Sequence, residues 1–209
     1  MRSRFALPVL LGLPGVSLAI AGLFHPHSLT YETSQRWFAL HVPGLVVFPL
    51  VGLALMWLVR GRADPMAWAI RITAYVYATC YTALDVISGM AAGYVTHELG
   101  PGVPRPEAVS LMFRIGTPTG KVGSWALIVC CLVLLIDQVR RQRMAGAPAL
   151  VLVVGAWFVH VDHIFAPTGV VGMALLGLGT ATLGWLAAER EKFVGDSLQP
   201  GGVSERHSG

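Results

Sequence analysis

The sequence predicts an all-α protein, a polytopic transmembrane helical bundle of about six spans. Three observations predict it. Of the 209 residues, 55% are hydrophobic and only 12% charged, against about 45–50% apolar and about a quarter charged in an ordinary soluble domain. Apolar runs close to the ~20 residues that a spanning helix needs recur along the chain. The lysines and arginines sort to one side when the spans alternate. A mean hydropathy of +0.64 agrees. This composition excludes a disordered chain and a typical cytosolic enzyme. Nucleic acid is excluded as a partner too: the net charge of +4 comes from short basic clusters between apolar runs, with no basic face interleaved with aromatics.

The spans follow in order. Residues 5–24 form the first, preceded by Arg2 and Arg4. Ala19-Ile20-Ala21 resembles a signal cleavage site, so the bundle has five spans if that segment is removed. Residues 37–59, 66–94 and 121–137 form the second, third and fourth spans. Residues 148–165 and 169–188 form the fifth and sixth, divided by the turn signal Ala166-Pro167-Thr168-Gly169. The reading is one transmembrane domain over 1–188 and a flexible polar tail over 189–209, with His207 in the tail. Between the third and fourth spans, Pro106 and Glu107 signal a helix start. A short interfacial helix over 107–116 would cover the outer face like a lid.

Eleven basic residues fall on one side: Arg2, Arg4, Arg60, Arg62, Arg71, Arg140, Arg141, Arg143, Arg190, Lys192 and Arg206. Arg36, Arg105, Arg114 and Lys121 fall on the other. The positive-inside rule then puts both termini in the cytoplasm of a multi-pass cell-membrane protein. Arg71, just inside the third span, is expected to snorkel to that interface.

With this topology, six of the seven histidines lie on the extracytoplasmic face: His25, His27, His41, His97, His160 and His163. Glu32, Glu98, Glu107 and Asp162 join them. His160 and His163, three apart, share a helix face, as do Trp37 and His41, four apart. On the third span Tyr77, Tyr81, Asp85, Ser88 and Gly89 fall on one stripe. Asp85 lies roughly 13 Å below the outer end at 1.5 Å per residue. An ionisable group at that depth is a functional hypothesis by default. His97 beside Glu98 reads as a solvated loop residue. The tryptophans read as interfacial anchors, and the glycines of the sixth span as close helix packing. Cys80, Cys130 and Cys131 sit inside apolar runs and read as small buried hydrophobes.

The chemistry these residues suggest is a transition-metal or haem site acting on a lipophilic substrate or a quinol. Imidazole suits Zn, Cu, Fe and Ni, and a carboxylate completes a mixed set. The candidate metal ligands are His41, His160, His163 and Asp162, with Asp85 as an alternative carboxylate. As a haem b site, His41 and His160 would be the axial pair. A second class is a metal-free isomerase or cyclase of a prenyl lipid, with Asp85 as acid, His41 as base and Tyr81 sheltering positive charge. A third is a transporter or accessory membrane subunit. Pairing Asp85 with His41 or His160 requires the second, third and fifth spans to be neighbours.

Overall fold

The computed structural model describes residues 5–197, and no strand occurs among them. The chain runs α1 (Ala6–Leu23), α2 (Tyr31–Trp57), α3 (Pro65–Leu84), a wide π-helical turn (Asp85–Ala91), α4 (Ala92–Glu98), α5 (Glu107–Gln142), α6 (Ala149–Asp162) and α7 (Thr168–Ser197). Successive long helices pack side by side, and α7 returns to α1, so the bundle closes into a ring. Four helices are long and apolar enough to cross a membrane: α1, α2, α5 and the Thr168–Arg190 part of α7. α6, with 14 residues, is about 21 Å long at 1.5 Å per residue.

Local chemistry sets the helix ends. α2 begins at Tyr31, six residues before the apolar run, because Thr33 Oγ1 accepts from Thr30 N at 2.9 Å and donates to Ser28 O at 2.8 Å. α3 begins at Pro65, with Asp64 as its N-cap accepting from Ala67 N at 3.2 Å. α5 corrects the lid expectation. Residues 107–116 are its first turns, continuous with the rest of the helix through Pro118. A membrane helix tolerates such a proline because only one backbone bond is lost and neighbouring helices compensate. α7 continues through Ser197, into the stretch expected as a tail. His207 lies outside the described residues.

The glycines of α7 do pack helices closely. A side chain on Gly177 would meet Gly12 O and Val16 N of α1, and one on Gly172 would meet Gly155 O of α6. Thr180 donates across to Leu11 O of α1 at 2.8 Å. Phe48, Tyr77, Tyr81, Leu127, Leu152 and Met173 are among the residues that fill the centre. Cys130 and Cys131 are buried there as free thiols. Val9, Leu13, Val16 and Ile20 of α1 stay exposed on the outside of the ring, as a lipid-facing surface does.

At one end of the bundle the loop before α3 is tied to α5 by charge. Arg62 bonds Asp137 at 2.5 and 2.8 Å and Asp64 at 2.9 Å. Arg141 reaches Asp137 at 3.0 Å. Arg71 does not extend outward alone; it donates to Val59 O at 3.0 Å and Arg62 O at 2.6 Å. The histidines gather at the other end.

Gly177→Val tests the ring closure. Its side chain would strike the backbone of α1 at 2.8–2.9 Å. We expect a loss of about 1–3 kcal/mol of stability, the usual cost of overpacking, measured by thermal unfolding in mild detergent.

Candidate metal centre

Three elements deliver three side chains to one point. His41 comes from α2, Asp85 from the first residue of the π-helical turn, and His163 from the residue after α6. One ligand atom from each lies within 4.8 Å of the other two. Wide turns of this kind are uncommon and recur at functional sites.

The sequence makes room for them with missing side chains. A Cβ on Gly44 would collide with Oδ2 of Asp85, and one on Gly89 with the ring of His41. Gly89 sits four residues after Asp85, on the same stripe. Only glycine at these two positions lets α2 and the wide turn approach closely enough for the carboxylate and imidazole to meet.

Hydrogen bonds fix the chemistry of His41. Its Nδ1 lies 2.7 Å from Trp37 O, and a carbonyl can only accept, so Nδ1 carries the proton. Nε2 is therefore a free lone pair. This is the usual arrangement of a metal-ligating histidine. Trp37 is buried, not an interfacial anchor, and donates from Nε1 to Ser88 O at 3.0 Å, joining α2 to the wide turn.

Asp85 is 0% exposed, and neither carboxylate oxygen has a hydrogen-bond partner. No arginine or lysine pairs with it among the described residues. Burying such a carboxylate without compensation costs several kcal/mol or more. His163 also leaves Nδ1 enclosed and unpartnered. Its ring stacks on Phe48, centroids 5.5 Å apart, and lies 5.4 Å from Tyr81. Tyr81 packs in turn on Tyr77 at 4.7 Å. The expected stripe Tyr77, Tyr81, Asp85, Ser88 is buried throughout.

His41 and His163 border a cavity of about 250 Å³, whose walls include Trp37, Tyr81, Phe113 and His160. That is below the ~300–1,000 Å³ of sites for drug-sized ligands. It suits a small molecule.

The remaining expected ligands sit apart from the trio. His160 Nδ1 lies 2.8 Å from Ser124 Oγ, and its ring packs 4.5 Å from Trp125 and 5.7 Å from Trp157. Asp162 borders the cavity without joining the cluster. The shared face expected for His160 and His163 fails because α6 ends between them: His163 has φ 52° and turns inward. The His41–His160 axial pair is therefore not assembled. The neighbour relation also differs. α6 packs on α5 and α7, and the residues following α6, not its face, reach Phe48 of α2 and Tyr81 of α3. His97 is not a solvated loop residue. It stacks on Tyr31 at 5.4 Å and bonds Ser34 and Gln35 at 3.2 and 3.0 Å.

Comparison with protein-family models, curated proteins and solved structures gives no significant match to this chain.

His25, in the connection between α1 and α2, borders the cavity. Burial, and then the neighbouring His41, hold its imidazole down to about 4 from the ordinary 6.5. A histidine kept neutral by the fold stabilises it fully above the unfolded value and less as protons bind the unfolded chain. Without added metal, thermal stability should be flat with respect to this group above pH 6.5 and fall between pH 6.5 and 4. His25→Asn should flatten part of that fall, measured by melting temperature against pH.

Proposed function

We propose that this protein is an integral membrane protein that binds one divalent transition-metal ion through His41, Asp85 and His163. The single observation that carries the reading is Asp85: a buried carboxylate with no bonded partner, beside two imidazoles that offer lone pairs. A cation bound there would give the carboxylate the opposite charge it lacks and offset the cost of burying it. Two histidines and one carboxylate suit Zn²⁺ or Fe²⁺ and leave coordination positions open.

His41 and His163 border the cavity, so the activity we assign is metal-dependent turnover of a small lipophilic molecule. When bound, the ion supplies Lewis acidity or activates a small ligand. The chain's own residues do the rest. Trp37 O holds the His41 tautomer. Phe48 and Tyr81 fix the plane of His163. The aromatic walls Trp37, Tyr81, Phe113 and Phe165 favour an apolar substrate. His160, oriented by Ser124, faces the same space and is placed to hydrogen-bond a substrate oxygen. In this reading the histidine end is extracytoplasmic. The arginine-rich end, with Arg62, Arg71, Arg140 and Arg141, is cytoplasmic, as the positive-inside rule requires.

The test is metal content after purification in mild detergent. We expect about one ion per chain. His41→Ala, Asp85→Asn and His163→Ala should each weaken binding by more than the ~10–100-fold typical of an outer-shell change. Gly89→Ala should weaken it through the displaced His41 ring. His160→Ala and Asp162→Asn should leave affinity unchanged. A folded wild-type protein that binds no Zn²⁺, Fe²⁺ or Co²⁺ would overturn the reading and return Asp85 to the role of a metal-free acid.

A further inference from the structure

Asp85 and His163 are not the only buried groups here with an unmet bond. His25 is 4% exposed, and its Nε2 is enclosed with no hydrogen-bond partner. Its Nδ1 lies 2.8 Å from Pro26 O. As with His41, the carbonyl must accept, so Nδ1 bears the proton and Nε2 is a bare lone pair.

A buried imidazole that serves only as packing normally finds a donor for that lone pair, because leaving it unmet carries its full desolvation penalty. A donor is close by. Trp37 packs edge-on to His25 with centroids 4.7 Å apart, yet its indole N–H is given to Ser88 O. Phe165, also at 4.7 Å, has nothing to donate. His25 Nε2 thus has no hydrogen-bond partner among the described residues, while the ring lies beside His41, centroids 5.1 Å apart at 78°. It borders the cavity that His41 and His163 border, with its ring nitrogens outside the 4.8 Å grouping of His41, Asp85 and His163, so coordination would draw the α1–α2 connection inward.

The neighbouring histidine behaves differently. His27 gives its Nε2 proton to Ala166 O at 3.0 Å and stacks on Phe165. Pro26 between them fixes the backbone φ and supplies the carbonyl that sets the His25 tautomer. The His-Pro-His segment therefore ties one imidazole to the α6–α7 turn and leaves the other, with its lone pair bare, beside His41 at the cavity.

We propose that His25 Nε2 is a further protein ligand of the ion held by His41, Asp85 and His163, completing a set of three imidazoles and one carboxylate. The proposal rests on the metal reading given above. No bond is made or broken beyond coordination: a neutral imidazole donates its lone pair and no proton is released. Such a set still suits a borderline ion, Zn²⁺, Fe²⁺ or Cu²⁺. It also makes the α1–α2 connection part of the metal shell, so binding would lock that connection over the cavity.

Two measurements test it. Pulsed electron paramagnetic resonance of the Cu²⁺-loaded wild-type protein counts coordinated imidazoles directly. Three are expected; two would overturn the proposal while leaving the metal site standing. Titration with Co²⁺ then compares variants. His25→Gln should keep the stoichiometry, weaken Co²⁺ by more than the ~10- to 100-fold typical of an outer-shell change and alter its visible absorption. His27→Gln should match wild type in both. An unchanged affinity and spectrum in His25→Gln would overturn the proposal. A wild-type protein that takes up neither Cu²⁺ nor Co²⁺ would overturn this proposal and the metal reading together. If His25→Gln does not fold, the imidazole count on wild type decides alone.

Discussion

The carboxylate of Asp85 is the constraint around which this end of the bundle is arranged. It is fully buried, and no described residue hydrogen-bonds it. The surroundings do not look like an accommodation to an accident. Two glycines give up their side chains to admit it and its imidazole neighbour. The helix that carries it widens at that residue. The helix that ends nearby turns a histidine inward at positive φ. Each of these has a conformational cost, and each serves the same few ångströms of space.

The other end of the bundle shows what this sequence does with a carboxylate whose task is structural. Asp137 is as buried as Asp85, yet it receives Arg62 on both oxygens and Arg141 on one. Asp64, beside it, takes Arg62 as well as a backbone N–H, which hold its carboxyl down to about 2. Among the described residues, no lysine or arginine is paired with Asp85. The contrast between a saturated carboxylate and a bare one, within one small protein, separates a fastening from a binding site on local chemistry alone.

Much of this was readable in the residues. The apolar runs and the 3.6-residue period give the helices and the stripe Tyr77, Tyr81, Asp85, Ser88, because both depend on neighbours along the chain. The depth of Asp85 marked it for function for the same reason. What depends on the ends of helices was harder. His160 and His163 have helical spacing, and only the turn at residue 163 sends them to different places. The helix start at Tyr31 hangs on two threonine side chains, not on hydropathy. Pro106 to Gly116 looks like a separate piece, because glycine and proline break soluble helices more readily than membrane ones. Gly44 and Gly89 carried a signal that passes as ordinary packing until the partner helix is in view. The bundle order, which decides whether His163 can reach Asp85, is a matter of three-dimensional contact and has no local signature.

The wide turn at Asp85–Ala91 carries a consequence for how this segment tolerates change. A π-helical turn bonds each residue one position further along than an α-helix does, so it houses a surplus residue. In an ordinary spanning helix, losing one residue rotates everything beyond it by about 100° and scrambles the packing. Here, losing one residue between 86 and 91 would close the turn to regular α-helix and leave α4 in phase with α3. The scaffold and the site are thus separable by a single codon, with the surplus residue belonging to the chemistry and the remainder to the span.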